Sequence, residues 1–106
     1  MKISKFKQEF TNALKEHNND RKSRFSKVYE YNQPKYCIYG YSMVNSMYDI
    51  VGKIHGRGIY HGFEYYFIET LKSNDKYNFI GKKKAVYKSW VKFECKTKEE
   101  LMIELL

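Results

Sequence analysis

Between Val28 and Cys95 the chain returns repeatedly to short runs of tyrosine, phenylalanine and β-branched residues, which confines it to folds with a sheet at the centre. Val28-Tyr29-Glu30-Tyr31 and Tyr36-Cys37-Ile38-Tyr39 are two such runs. The intervening Asn32-Gln33-Pro34-Lys35 has turn chemistry, so a hairpin is predicted there. Phe63 to Leu71, Tyr77 to Ile80 and Ala85 to Cys95 read as three further strands, separated by Lys72-Ser73-Asn74-Asp75 and by the stretch around Gly81.

Helical spacing interrupts and flanks these runs. Ile3, Phe6, Phe10, Ala13 and Leu14 share one face of a helix over residues 3 to 17, with Ser4 near its start and Asn18-Asn19-Asp20 ending it. Met43, Val44, Met47, Ile50, Val51 and Ile54 step by three and four, which predicts a second helix from Ser42, its cap, to Ile54. Gly52, Gly56, Gly58 and Gly62 then punctuate what reads as a loop. Thr97 with Glu100 makes a capping box ahead of Leu101, Ile103, Leu105 and Leu106, so a short terminal helix is predicted. The expected fold class is α+β, one small domain over residues 1–106: an antiparallel sheet of about 4–5 strands with N-terminal, middle and C-terminal helices. The polar stretch 18–27 reads as a mobile basic loop.

A chain of 106 residues, 18% of them aromatic, can bury one core and is not composed like a disordered segment. MKISKFKQEF has no apolar signal region, and no apolar run approaches the roughly 18 residues that cross a bilayer, so a cytoplasmic protein without membrane partners is expected. Cys37 and Cys95 then read as two ordinary thiols. Lys, Asn, Tyr, Ile and Phe abound while Ala occurs twice, Arg three times and Pro once, the bias of AT-rich codons and of low-GC genomes with their phages and mobile elements.

The net charge of +8 is unevenly divided. Residues 1–27 carry a balance of +5, 28–71 of −1 and 72–98 of +7, and the last eight residues hold three Glu. Basic flanks around a neutral middle attract phosphates or acidic protein surfaces. Strand alternation would put Lys84, Lys88, Trp90 and Lys92 on one face of the 84–95 segment, an indole between cations. Such a ring suits base stacking or a protein hot spot. Eleven tyrosines are too many to bury with every hydroxyl partnered, so the strands bearing Tyr29, Tyr31, Tyr39, Tyr41, Tyr65 and Tyr66 are expected to present contact surface. The expected partner-binding set is Trp90, Lys82, Lys83, Lys84, Lys88, Lys92, Arg21, Lys22, Arg24, Tyr29, Tyr31 and Tyr66.

Catalytic signals are sparse. His55, Arg57 and His61 crowd the glycine-rich segment and could supply acid, base and phosphate clamp for a metal-free ribonuclease toxin, though nothing in the sequence orients either ring. Gly58-Ile59-Tyr60 resembles the opening of GIY-YIG endonucleases, but that family places its second motif about ten residues on, whereas Phe79-Ile80-Gly81 starts 21 residues after Gly58, so the match fails. His55, His61, Cys37 and Cys95 lack the short spacing of zinc sites, and the glycines fit neither GxGxxG nor a Walker loop; no metal or cofactor is expected. The leading expectation is a non-catalytic phage or mobile-element protein that docks on a nucleic-acid-handling protein and inhibits it, anti-CRISPR-like in role. Direct, sequence-nonspecific nucleic-acid binding is the alternative and the toxin a third. Exposed Tyr strands also permit a homodimer.

Overall fold

A computed structural model of the chain describes residues 4–40, 49–74 and 77–106. Helix α1 spans Lys5–Asn18, where Phe6, Phe10 and Leu14 recur on the buried side. Ser4 caps it by accepting the Lys7 amide, and Asn19 closes it in the left-handed region at φ 52°. Ile3 lies outside the described residues.

Five strands follow: β1 Lys27–Tyr39, β2 Ile50–Tyr60, β3 Phe63–Lys72, β4 Lys83–Tyr87 and β5 Val91–Cys95, then helix α2 Lys98–Glu104. All neighbours pair antiparallel in the order β4-β3-β2-β1-β5. The predicted α+β class with an antiparallel sheet is observed, but the described residues hold two helices rather than three.

Five expectations are corrected. The predicted hairpin at 28–39 is one strand with a bulge: Glu30 pairs with Gly56 and Lys35 with Ile54, so four residues of β1 oppose His55 alone. Pro34, which has no N–H to donate, is tolerated in that unpaired stretch. The predicted middle helix ends in β2 from Ile50 onward, while its first part, residues 42–48, lies outside the described residues. The glycine-rich segment is strand as well, because its glycines seat rings: a methyl at Gly58 would lie 2.7 Å from the Phe25 ring and 3.0 Å from that of Phe10. Tyr77 to Ile80 is a turn rather than a strand.

The fifth correction shapes the whole molecule. Residues 85–95 are not one strand, for a 3-10 turn at Lys88–Trp90 divides them between the two edges of the sheet. A flat five-stranded sheet would hold its edge strands about 19 Å apart, whereas four residue steps from Tyr87 to Val91 reach at most about 14 Å and less in a 3-10 turn. The sheet therefore curls until its edges approach.

The two faces separate along β3. Tyr65 and Phe67 join Phe6, Phe10, Leu14 and Phe25 beneath α1. Tyr66 and Ile68 point inward to Cys37, Tyr39, Ile50, Ile54 and Val86. At the far end α2 buries only Leu101, against Val51 and Cys95, while Met102, Ile103, Leu105 and Leu106 remain exposed. Thr97 caps this helix through the Glu100 amide at 3.2 Å, as the capping box predicts. The His61-Gly62 turn between β2 and β3 has φ of 50° and 80°, the left-handed pair of a tight two-residue hairpin.

Candidate binding surfaces

The basic face expected on residues 84–95 does not form. The 3-10 turn parts its lysines, Lys88 going to Glu64 (3.0 Å) and Lys92 to Asp49 (2.8 Å), while just upstream Lys82 meets Glu16 (3.9 Å) and Lys83 meets Glu9 (3.5 Å). Such pairs at the surface contribute only about 0–1 kcal/mol each, but they cancel charge. Trp90 is half-buried where α1 meets the end of β4, with the Tyr87 ring edge-on at 4.9 Å and the His17 ring at 5.9 Å. It forms a wall between elements rather than a projecting anchor. Lys84 lies beside it, at the mouth of a small cavity under α1.

The tyrosines divide unequally. Tyr29 is 40% exposed and Tyr31 half-buried, but Tyr39, Tyr65 and Tyr66 are buried, contrary to the expectation of contact surface; Tyr41 lies outside the described residues. The Tyr66 hydroxyl donates to Glu94 at 2.8 Å. Burial, and then that carboxylate, hold the phenol well above its ordinary range. Burial likewise raises Tyr31, with Glu94 adding to the effect.

Around Tyr66 the inner face opens into a polar network that no local pattern announced. Register sets Tyr29, Arg57 and Tyr66 in one row across β1, β2 and β3. The Arg57 guanidinium stacks over the Tyr29 ring at 4.5 Å and donates to Glu64 at 3.2 Å. Lys35 approaches Glu94 at 3.6 Å and the Tyr31 ring at 5.2 Å. Three predicted residues, Tyr29, Tyr31 and Tyr66, meet here, together with Lys88 through Glu64. Glu64 and Glu94, which come from β3 and β5 and are 30 residues apart, carry no sign of this role in the sequence.

A second surface arises because α1 sorts its charges. Glu9 and Glu16 face β4, where they meet Lys83 and Lys82. Lys7 and Lys15, eight residues apart at about 100° per residue, share a different flank of the helix. The chain then turns through Asp20, whose carboxylate accepts the Lys22 amide at 2.9 Å, while Ser23 and Phe25 are buried. Around those anchors Arg21, Lys22, Arg24 and Lys27 are exposed. Among the described residues none of these six cations has a carboxylate within 4.0 Å.

The ribonuclease triad is not assembled. His55 sits in the β2 bulge, 2.8 Å from Glu69, and Arg57 is held by Glu64. His61 is exposed at the hairpin tip, six residues along, which in a strand is about 20 Å. One phosphate could not touch both rings. Cys37 and Cys95 are free and buried; burial, with Glu94 next in effect, pushes the Cys37 thiol up to about 12. Among the described residues no cluster of His, Cys, Asp and Glu could hold a metal ion, and no helix is long and apolar enough to cross a membrane. Comparison of the chain with protein-family models, with curated proteins and with solved structures finds no match in any of the three.

Proposed function

We propose that this is a non-catalytic binding protein that docks on a nucleic-acid-handling protein, of the nuclease kind directed against mobile elements, and inhibits it. The observation that carries this reading is the set of cations without a carboxylate partner among the described residues: Lys7 and Lys15 on α1, and Arg21, Lys22, Arg24 and Lys27 in the chain that follows it. A flank of that sign draws in an acidic surface and raises the encounter rate. Nucleases gather carboxylates to hold their metal ions, and the planar guanidinium forks of Arg21 and Arg24 suit carboxylates in pairs.

Direct nucleic-acid binding is the second reading, favoured by the same run of cations. Six phosphate contacts on duplex DNA predict a log-log salt slope of about −5. Affinity capture from a host lysate, with and without nuclease, separates the two. A protein retained after nuclease treatment, and captured roughly tenfold less by the Arg21→Glu/Arg24→Glu variant, supports inhibition by docking. Capture that vanishes with nuclease, or that charge reversal leaves undiminished, overturns it.

A further inference from the structure

Under the C-terminal half of α1 lies a cavity of about 290 Å³, at the small end of the roughly 300–1,000 Å³ range of ligand pockets. Ala13 of α1 and Ala85 of β4, the only alanines in the chain, both line it. Larger side chains at either position would occupy that space. The indole of Trp90 forms one wall and the His17 imidazole another, while Lys84 and Lys82 supply ammonium groups. Among the described residues that line it the one carboxylate is Glu16, 3.9 Å from Lys82 and 72% exposed.

We propose that this cavity is a binding site for a phosphorylated aromatic ligand of mononucleotide size, with the planar base against Trp90 and the phosphate at Lys84 and His17. The chemistry is that of stacking joined to charge. An aromatic face accepts any base, and an ammonium group beside it takes the phosphate. Trp90 is braced for that role: Tyr87 stands edge-on to it at 81°, and its carbonyl accepts the Gly40 amide at 3.2 Å. The histidine reports the field inside the cavity. Burial lowers its pKa first and the Lys84 charge lowers it further, so the imidazole lies within the field of that ammonium. The site lies on the β4 side of α1, away from the basic flank, and does not depend on the docking reading.

Trp90 is the only tryptophan, so its fluorescence reads the site directly. The intact chain is titrated with AMP, adenosine and ribose 5-phosphate, and the AMP titration is repeated by calorimetry. The expected result is saturable quenching by AMP with a millimolar to submillimolar Kd, and roughly tenfold or weaker binding of the two fragments, each of which lacks half of the recognition. Lys84→Gln, which keeps an aliphatic stem of similar reach, should weaken AMP roughly tenfold, while Lys53→Gln on β2 should leave it unchanged. Far-UV circular dichroism of both variants checks folding, and His17→Gln, read by calorimetry, serves as the second variant should Lys84→Gln not fold. No saturation in the millimolar range, equal response to all three compounds, or AMP binding untouched by loss of both Lys84 and His17 would overturn the proposal.

Discussion

Replacing Gly58 by alanine should destabilise the protein, although the same change in an ordinary strand would stabilise it. Glycine in a strand interior costs roughly 0.5–1 kcal/mol relative to alanine, so propensity alone favours the variant. Space opposes it. The added methyl would stand 2.7 and 2.8 Å from two atoms of the Phe25 ring and 3.0 Å from the Phe10 ring, against the usual ~3.5–4.0 Å between carbons. Neither ring can retreat easily: the Phe25 and Phe10 centroids are 4.2 Å apart, and Phe10 is stacked on Phe67 at 4.9 Å. Overpacking of this kind costs about 1–3 kcal/mol, so the net loss lies within about 0–2.5 kcal/mol and is about 1–2 kcal/mol around the middle of those ranges. For a domain of this size that is a fall in Tm of roughly 4–15 °C. Thermal unfolding followed by circular dichroism measures it. Phe25→Leu should relieve the clash, so the double variant should be about 1 kcal/mol better than the sum of the singles. A Tm that rises in Gly58→Ala, or additivity in the double variant, would refute the ring-seat reasoning.

Tyr66→Phe removes the donor from the Glu94 carboxylate and should cost about 1 kcal/mol by denaturant titration. His17 gives a pH dependence: burial and Lys84 lower its folded pKa below the ordinary 6.5, so the stability it contributes is complete above that value and is lost as pH falls beneath it. Between about pH 7.5 and about pH 5.5 the Tm should therefore fall less in His17→Gln than in the wild type. Both thiols are buried, and burial pushes the Cys37 thiol up to about 12, so a maleimide or disulfide reagent should label neither until the chain is unfolded; fast labelling of the native protein would contradict the burial of Cys37 and Cys95.

The helices were legible wherever capping and spacing act within a few residues. Ser4, Asn19 and the Thr97-Glu100 pair do in the structure what the sequence implies. The strands were legible as β-prone runs, but their ends were not. Pro34 reads as a turn because a bulge and a turn call for the same residue, and only pairing with β2 distinguishes them. Ile50, Val51 and Ile54 satisfy helical spacing by coincidence, being split between the inner face and the α2 face of a strand. Gly56 and Gly58 look like breakers until Phe6, Phe10 and Phe25 occupy the space that side chains would fill. At the surface, Arg21, Lys22, Arg24 and Lys27 are exposed, whereas Lys82, Lys83, Lys88 and Lys92 meet acids that lie far off in the chain, which charge balance along the sequence does not register. The Glu64 and Glu94 network had no local signature at all, since its members meet only when the sheet curls.

The handover from β4 to β5 also sets the order in which the molecule can be completed. β1 leaves the ribosome before its outer neighbour β5, with Tyr36 opposite Cys95 although the two stand 59 positions apart in the chain. At roughly 5–20 residues per second that interval is about 3–12 s. During it one side of β1 offers unpaired amides and carbonyls to any passing strand. Closure is thus a late, long-range event, and synthesis halted before Val91 would leave a sheet with an open seam.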